Sequence, residues 1–414
     1  MPQPISLRYG ETVVKFDIRS DADVYTVNDP VPRVDPAGFA KRLKAAIQRV
    51  GLDLTCPAVV VADKTRLCGY PIYLQVLLDV MVEHGVDPEA ISIHIAYGTH
   101  PRQSDEASQK AYGSAYKGYR WVHHHCDKGP FMRLGETRRG TPVYLRQDLA
   151  GASCVITFGA ISHHYFAGYG GGRKLIFPGL GKKESIYANH RLFLEAESRN
   201  LADGCRSGRL DGNPLAEDLA EVERFRPADL SIHGILNSRG EVCDLMVGEG
   251  DDLFRRACAR HGEGSEVVIK RRYDLVVASC GGFPKDINFI QSHKAIHHAA
   301  DFVRNDGTLI VLAECRDGIG SQTFLPWFGP GGWDAAFDAL AHQYVGNGGT
   351  ALAMMAKCRR IRIRLVTGLD AATVDRIGCD VISAAGVQGV MDRQNGSLAV
   401  VPNASLTVGA TDME

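Results

Sequence analysis

The stretch Ala58-Val59-Val60-Val61-Ala62, followed by Asp63, decides the fold class of this chain. Five apolar residues with a polar boundary are typical of a strand that is buried on both faces, as in a parallel sheet. Pro71–Glu83 then shows helical periodicity and stops before Gly85, and Ile91–Ala96 is a second apolar strand. Strand, helix and strand at this spacing predict βαβ units, and therefore an α/β fold with a mostly parallel sheet.

The same alternation continues along the chain and separates into two series. In the first series we expect further strands at 121–126, 143–146 and 152–158 and a helix at 182–195. The second series begins near Arg272, with strands at 274–279, 308–313, 362–366 and 397–401 and helices at 288–303, 333–344 and 350–360.

A chain of 414 residues is long for one hydrophobic core. We therefore predict two Rossmann-like α/β domains with the active site in the cleft between them. The N-terminal domain is expected to span residues 1–270 and the C-terminal domain residues 271–414. The polar stretch Glu263–Arg272 is the expected hinge, and a return of the last residues to the N-terminal domain stays open.

The composition indicates a globular protein without a bulk electrostatic partner. Apolar residues make up 45% of the chain and charged residues 23%, and the formal net charge is −1. No apolar run approaches the roughly 18–20 residues that span a bilayer. The 11 cysteines are scattered without a C-x-x-C pair, which favours a reducing compartment over a disulfide framework or a zinc ribbon. We therefore predict a cytoplasmic protein that binds neither nucleic acid nor membrane.

A glycine-rich segment from His164 to Lys174 carries the strongest chemical signal. Four of its positions are glycine, and Gly171 and Gly172 lie directly before Arg173 and Lys174. Bare backbone N–H groups beside two cations suit an anionic, phosphate-bearing ligand. The alternative is a flexible surface loop, with His164 and the later His190 unrelated to each other.

Three predicted strand ends carry further reactive side chains. Asp63 and Arg66 follow the first strand, His100 follows the second, and His164 follows the strand at 152–158. Ligands of open α/β sheets sit beyond the carboxyl ends of strands, so these residues are expected at one edge of one sheet. An arginine there can bind a carboxylate, and a histidine can transfer protons. The alternative for the first strand end is an Asp63 that caps the next helix and an Arg66 on the surface.

The second series contributes a lysine and a glutamine three residues apart. Gln291 and Lys294 should share a helix face, where Lys294 can reach an anion or simply lie on the surface. His123, His124 and His125 alternate along a predicted strand, so they cannot all face one metal. The sequence contains no H-E-x-x-H, Walker A or G-x-S-x-G motif.

With these motifs in place, the chain resembles the lactate racemase family, whose members carry a nickel-pincer nucleotide. The similarity is most specific from His164 to His190 and includes Pro178-Gly179 and Ala188-Asn189-His190. The resemblance implies a role for each site residue: covalent cofactor attachment for Lys174, nickel ligation for His190, acid–base catalysis for His100 and His164, substrate-carboxylate binding for Arg66 and Lys294, and supporting hydrogen bonds for Asp63 and Gln291.

The resemblance also implies an isomerase, either a racemase or a 2-epimerase, that acts on a small 2-hydroxy acid by hydride transfer through a 2-keto acid. Cofactor maturation enzymes would be its partners. Three departures from the family pattern, Lys64, Tyr97 and Pro101-Arg102, leave the identity of the acid open. The alternatives are a nicotinamide-dependent 2-hydroxyacid oxidoreductase and a non-catalytic nucleotide-binding module.

Overall fold

The computed structural model describes residues 2–410 and divides into two compact units. The central unit contains Asp29–Phe193 and Ala202–Gly264. The terminal unit contains the chain up to Asn28, the segment Leu194–Leu201 and the chain from Ser265 onward.

The described residues form twelve α-helices: α1 (Pro36–Val50), α2 (Tyr70–Glu83), α3 (Asp105–Tyr112), α4 (Gln147–Ala150), α5 (Lys183–Arg191), α6 (Pro214–Glu223), α7 (Gly250–Ser265), α8 (Phe289–Ala300), α9 (Gly332–His342), α10 (Gly348–Arg360), α11 (Ala371–Arg376) and α12 (Ala384–Arg393). The longest of them, α7, has 16 residues, and no helix within residues 2–410 has the length and apolar character needed to cross a membrane.

The same residues form 22 strands: β1 (Gln3–Tyr9), β2 (Thr12–Ile18), β3 (Asp23–Val24), β4 (Pro57–Ala62), β5 (Ser92–Ala96), β6 (Arg120–His123), β7 (Phe131–Glu136), β8 (Pro142–Arg146), β9 (Cys154–Ala160), β10 (Ser162–His164), β11 (Gly168–Gly170), β12 (Leu194–Glu195), β13 (Asn200–Leu201), β14 (Leu230–Leu236), β15 (Val242–Gly248), β16 (Glu266–Val268), β17 (Tyr273–Ser279), β18 (Val303–Leu312), β19 (Arg362–Val366), β20 (Asp380–Val381), β21 (Leu398–Val401) and β22 (Val408–Ala410).

The central unit is built on a six-stranded sheet of order β15-β14-β9-β4-β5-β6. Its strands are parallel except for β15, which runs antiparallel to β14. Every residue of β4 is buried, because Val59 pairs with Ile93 on one side and Ile156 on the other. The chain leaves β4 toward β5 and β6, and then returns to place β9 and β14 on the opposite side. The carboxyl ends of β4 and β9 therefore border a topological switch point, where α/β sheets bind ligands.

A buried tyrosine joins the two strands at this switch point. The hydroxyl of Tyr70, in the first turn of α2, accepts a hydrogen bond from Ala62 N at 2.9 Å and donates one to Phe158 O at 2.8 Å. These backbone groups belong to the last residue of β4 and to β9, near its carboxyl end. Because buried peptide groups need partners, Tyr70 lets the two strands diverge without a lost hydrogen bond.

The terminal unit has its own six-stranded sheet, of order β20-β19-β18-β17-β21-β3, in which all strands are parallel. The β1–β2 hairpin covers one face, where Leu7 and Phe16 share a core cluster with Val277. Strand β22 pairs with β16 inside the same unit. The last residues named in the predicted domain limits, 411–414, lie outside the described residues.

The structure confirms the predicted α/β class with parallel sheets and a two-unit chain. The units differ from the predicted division at 270, because residues up to Asn28 and Leu194–Leu201 group with the C-terminal series. The pairing of β3 with β21 fixes this grouping through contacts hundreds of residues apart. The predicted hinge stretch Glu263–Arg272 contains the end of α7 and strand β16, and one unit boundary falls at Ser265.

Candidate active site

The turn after β4 orients Asp63 through two neighbours. Asp63 is only 4% exposed. Its Oδ1 accepts hydrogen bonds from the backbone N and the hydroxyl of Thr65, at 2.8 and 2.5 Å. Its carbonyl accepts from Arg66 N at 3.0 Å, which leaves the Arg66 side chain exposed beyond the strand end. Asp63 thus caps its own turn and not the next helix, whose N-cap is Gly69, so the alternative holds only for the exposed Arg66; the second carboxylate oxygen of Asp63 is left for another partner.

That partner is His100, which lies in the turn after the neighbouring strand β5. His100 Nδ1 is 2.7 Å from Asp63 Oδ2, and the ring is half exposed. Burial by itself would raise the pKa of the Asp63 carboxyl, but hydrogen bonds from His100 and Thr65 lower it below its usual value. Because the carboxylate only accepts, His100 must carry its proton on Nδ1. Nε2 of a neutral His100 is therefore a lone-pair nitrogen that faces outward as a base.

His164 has the opposite hydrogen-bond pattern. It ends β10, which pairs with β11 so that His164 lies opposite Gly168. Its Nδ1 accepts from the backbone N of Phe166 and of Ala167, both at 3.2 Å. A ring nitrogen that accepts two N–H groups carries no proton, so a neutral His164 carries its proton on Nε2. The two histidines are thus held in opposite tautomers, one as a base and one as a hydrogen-bond donor.

The glycine run is shaped by tight packing inside the central unit. Gly171 has a φ of +80°, and a side chain there would meet Ala160 O at 2.1 Å. Gly172 has a φ of +52°, and a side chain there would meet the Phe254 ring at 2.4 Å. Both positions therefore require glycine for backbone conformation and for space. The groups that pack against these two glycines are the protein's own. Cofactor binding by Gly171 and Gly172 remains a prediction.

Arg173 is held by two carboxylates. Its side chain is buried, lies 3.2 Å from Glu223 Oε2, hydrogen-bonds Asp251, and stacks over the Phe254 ring at 4.5 Å. The guanidinium charge is thus matched inside the protein. Cofactor binding by Arg173 stays a prediction, and this pairing gives the residue a structural role that the sequence analysis did not foresee.

Lys174 and His190 are the two groups whose charge the site suppresses most. Burial lowers the pKa of the Lys174 ammonium well below its usual value, and the positive charge of Arg66 lowers it further. Burial also lowers the pKa of His190 to about 3, with a second contribution from the charge of Lys174. The charge that acts on Lys174 is that of Arg66 and not that of the adjacent Arg173, which is paired with carboxylates. The site therefore favours the neutral forms of both the Lys174 amine and the His190 imidazole.

Backbone hydrogen bonds connect Lys174 to the His100 turn. Gly179 N donates to Lys174 O at 3.0 Å, and Gly98 N donates to Gly179 O at 2.8 Å. On the other side, a side chain at Gly170 would lie 3.5 Å from Arg66 Nη1, which brings the β11 strand against the β4 turn. These contacts place Lys174, the His100 turn and Arg66 together near the β4–β9 switch point.

Gln291 and Lys294 belong to the terminal unit, in helix α8. Lys294 Nζ donates to Gln291 Oε1 at 2.8 Å, so the two side chains share a helix face as predicted. Their proposed role in binding substrate remains a prediction. Within residues 2–410, no group of three or more His, Cys, Asp or Glu side chains is arranged to hold a metal ion. A single protein ligand, as implied for His190, is a different arrangement and also stays a prediction.

Sequence reasoning missed several residues that position the site. Gln103 Oε1 accepts from Lys64 N at 2.8 Å and fixes the β4 turn. The buried Asn213 caps α6 and donates to Phe166 O at 2.8 Å, which orders the His164 turn. The Asn-Pro pair at the start of α6 is a helix-start signal that could have marked this position.

Tyr97, one of the departures from the family pattern, has a structural role. The residue is buried, and its hydroxyl lies 2.9 Å from His123 Nδ1. Gln103 N also approaches that hydroxyl, at 3.4 Å. These contacts explain the large side chain by packing inside the central unit.

Comparisons with known proteins agree with the resemblance seen in the motifs. Residues 9–202 match the family model of the lactate racemase N-terminal domain, and residues 268–332 match that of the lactate racemase C-terminal domain. The lactate racemase of Thermoanaerobacterium thermosaccharolyticum is 27% identical over 341 residues, which cover 78% of this chain and 77% of the relative. The lactate racemase of Lactiplantibacillus plantarum is 27% identical over 269 residues, 64% of this chain and 62% of the relative.

Solved structures share the fold. The lactate racemase apoprotein from Thermoanaerobacterium thermosaccharolyticum matches with a TM-score of 0.88 at 20% identity, covering 99% of this chain and 100% of that one. A crystal structure of a Thermotoga maritima protein matches with a TM-score of 0.68 at 15% identity, covering 93% and 100%. The two family models together span more than half of the sequence, and the chain is therefore an isomerase that belongs to the lactate racemase family.

Proposed function

We propose that this protein is a racemase or 2-epimerase of a 2-hydroxy acid that depends on a nickel-pincer nucleotide attached to Lys174. The observation that carries the proposal is the Asp63–His100 pair at the switch point. A buried carboxylate that orients a half-exposed histidine is an arrangement for general base catalysis. A mere nucleotide-binding module would not need it. Lactate, the substrate in the names of the relatives, is the first acid to test.

The residues around Lys174 fit the proposed cofactor. A deprotonated lysine amine is the form that can bond covalently to a cofactor carboxyl derivative. A neutral imidazole is a good nickel donor, so His190 would be the protein's ligand to the metal. When bound, the cofactor would supply hydride chemistry, accepting the C2 hydrogen of the substrate and returning it to either face of the planar 2-keto acid.

His100 is the general base of this scheme. Its Nε2 takes the hydroxyl proton from a substrate whose hydroxyl faces it, and Asp63 stabilises the imidazolium that forms. The proton step is needed because a 2-keto acid forms only when the hydroxyl loses its proton as C2 loses hydride. In the reverse direction, the His100 imidazolium, stabilised by the Asp63 carboxylate, returns the proton to the substrate oxygen.

His164 serves the opposite face in this proposal, and its hydrogen bonds set a condition. In the backbone-bonded state its Nε2–H can donate a hydrogen bond to a substrate oxygen. To transfer that proton it must be an imidazolium, whose Nδ1–H would conflict with the Phe166 and Ala167 amides. We therefore include a rotation of the His164 ring in each catalytic cycle.

Arg66 is the proposed carboxylate-binding residue. It is exposed at the end of β4, and a guanidinium binds a carboxylate through two parallel hydrogen bonds. Lys294 and Gln291 are proposed to assist. Changing Lys294 to alanine should raise KM for the acid more than it lowers kcat, because the lysine would bind the carboxylate equally in the ground and transition states. Unchanged kinetics would remove Lys294 from the scheme.

The function is tested with protein produced in cells that also make the cofactor-maturation enzymes. Chiral chromatography should show that one enantiomer of lactate, or of a larger 2-hydroxy acid, becomes a mixture of both. Protein produced without maturation, and matured Lys174→Ala, are the controls and should be inactive. Racemisation by unmatured protein, or a requirement for soluble nicotinamide, would contradict the proposal.

A further inference from the structure

Two cysteines of the terminal unit that have no role in the proposed active site lie close together. Cys358 is in the last turn of α10, and Cys379 directly precedes the edge strand β20. Their Sγ atoms are 4.0 Å apart, within the distance of an S–H···S hydrogen bond. Both are free thiols, Cys358 half-buried and Cys379 buried. The pair is therefore close enough to become a disulfide after a small movement of either side chain.

The surroundings make the two sulfurs chemically different. The hydrogen bond from Cys379 lowers the pKa of the Cys358 thiol, burial opposes this, and the nearby Lys357 ammonium adds to the lowering. The hydrogen bond with Cys358 raises the pKa of Cys379 well above its usual value, and burial raises it further. Cys358 is also the more exposed of the two and the one that lines a cavity, so we expect it to attack first and Cys379 to resolve the product.

A cavity of about 400 Å³ has both Cys358 and Gly378 in its lining. Gly378 lies next to the Cys358 sulfur, where even an added methyl group would be 3.5 Å from Sγ. The cavity is lined by Arg359, Arg360 and Arg362.

The positive charge of this cavity favours an anionic ligand. The guanidinium of Arg360 is engaged by the carbonyls of Val303 and Ala300, at 2.7 and 2.5 Å. Arg362 is exposed at the rim, and the lining also contains Asp306 and Asp380, so arginines outnumber carboxylates. A low-molecular-weight disulfide with carboxylate groups matches this lining, because its carboxylates can pair with the exposed guanidinium while its sulfurs approach Cys358.

We propose that Cys358 and Cys379 form a redox-active dithiol that is oxidised by an acidic low-molecular-weight disulfide bound in this cavity. The Cys358 thiolate attacks one sulfur of the low-molecular-weight disulfide. This forms a mixed disulfide with Cys358 and releases the other half of the small molecule as a thiolate. The Cys379 thiol then loses its proton to solvent, attacks Cys358 Sγ and releases the second thiolate. The low-molecular-weight disulfide is reduced by two electrons, and the protein gains one Cys358–Cys379 disulfide.

The consequence for the fold is a cross-link between α10 and the edge of the terminal sheet. The disulfide would enclose β19 and α11, which lie between the two cysteines in the chain. Because a cross-link restricts the unfolded chain, the oxidised protein should unfold at a higher temperature than the reduced protein.

The test uses the full-length protein, glutathione disulfide as the probe, and peptide mass spectrometry after alkylation. The expected product is a linked pair of peptides that contains Cys358 and Cys379 and lacks two hydrogens. Cys379→Ser should trap glutathione on Cys358, whereas Cys358→Ser should leave Cys379 unmodified. Cys56, which is exposed, is the internal control and should form only a mixed disulfide.

The role of the cavity has a separate control. Arg362→Glu should slow oxidation by glutathione disulfide but leave unchanged the rate with the neutral bis(2-hydroxyethyl) disulfide. The proposal is overturned if Cys56 reacts while Cys358 and Cys379 both stay reduced. Equal slowing with both probes would remove the charged cavity from the proposal, and glutathione trapped on Cys379 in wild-type protein would reverse the order of attack.

Discussion

Replacing Asp63 by asparagine should disable His100 while keeping its surroundings. The wild-type carboxylate uses Oδ1 for Thr65 and Oδ2 for His100. An asparagine has one oxygen and one NH₂ group in the same places. If the NH₂ faced Thr65, it would meet the backbone N–H of Thr65, which can only donate, at a cost of about 1 kcal/mol or more. The oxygen should therefore stay with Thr65, and the NH₂ should face His100.

This orientation determines the size of the effect. An NH₂ group donates to Nδ1, so His100 must move its proton to Nε2, the nitrogen that should act as the base. The loss of a correctly oriented general base is worth roughly 10²–10⁴-fold in rate. Since two enantiomers in water have equal free energy, kcat/KM must fall by the same factor in both directions.

The assay is racemisation by matured protein, measured from each enantiomer by chiral chromatography. Thr65→Val provides a matched control, because it removes the hydroxyl, which can donate or accept, and keeps the backbone N–H that fixes the asparagine. Thr65→Val alone should have a small effect, and the double variant should be no more active than Asp63→Asn. Near-normal turnover of Asp63→Asn would refute the tautomer argument, as would a double variant that recovers activity.

Three further outcomes follow from the packing and charge of the central unit. Gly172→Ala should lower the free energy of unfolding in urea by about 1–3 kcal/mol more than Gly51→Ala, because both positions have positive φ but only Gly172 faces a ring; equal losses would contradict the packing argument. Arg173→Met should destabilise the protein by about 1–3 kcal/mol, because it leaves the partly buried Glu223 carboxylate without its ion pair; unchanged stability with weakened cofactor retention would instead make Arg173 a cofactor ligand. The lowered pKa of Asp63 stabilises the folded state above the ordinary aspartate pKa, so the stability gap between wild type and Asp63→Asn should shrink as pH falls through about 4, and a gap that widens on acidification would oppose this.

The elements that the sequence predicted best are those whose pattern is local. The apolar run of β4 and the periodicity of α2 need only their own residues, and the structure has both within a residue of the expected limits. Helix α5 ends at Arg191, earlier than predicted. The predicted strands and helices leave residues 200–249 unassigned, although this stretch contains α6, β14 and β15. β14 is apolar but interrupted by His233 and Gly234, and its neighbour β9 in the sheet supplies the pairing that local propensity does not.

The sequence predicted which site residues lie at the same sheet edge. It did not predict the hydrogen bonds between them. Strand ends placed Asp63 and His100 at one sheet edge because parallel strands share a direction. Their hydrogen bond joins residues 37 positions apart and depends on the exact register of β4 and β5. Likewise, the residue that requires Gly172 to be glycine is Phe254, which only the folded chain brings near. Long-range contacts of this kind carry no signal in a single sequence.

The fate of the C2 hydrogen tests the central claim most directly. Matured protein is given one enantiomer of its 2-hydroxy acid in D₂O, and the inverted product is isolated and analysed by NMR. If the hydrogen leaves and returns as hydride while the histidines handle only the hydroxyl proton, the product keeps protium at C2. Deuterium at C2 would mean that a base removes the C2 hydrogen as a proton, and the proposed roles of His100 and His164 would be contradicted.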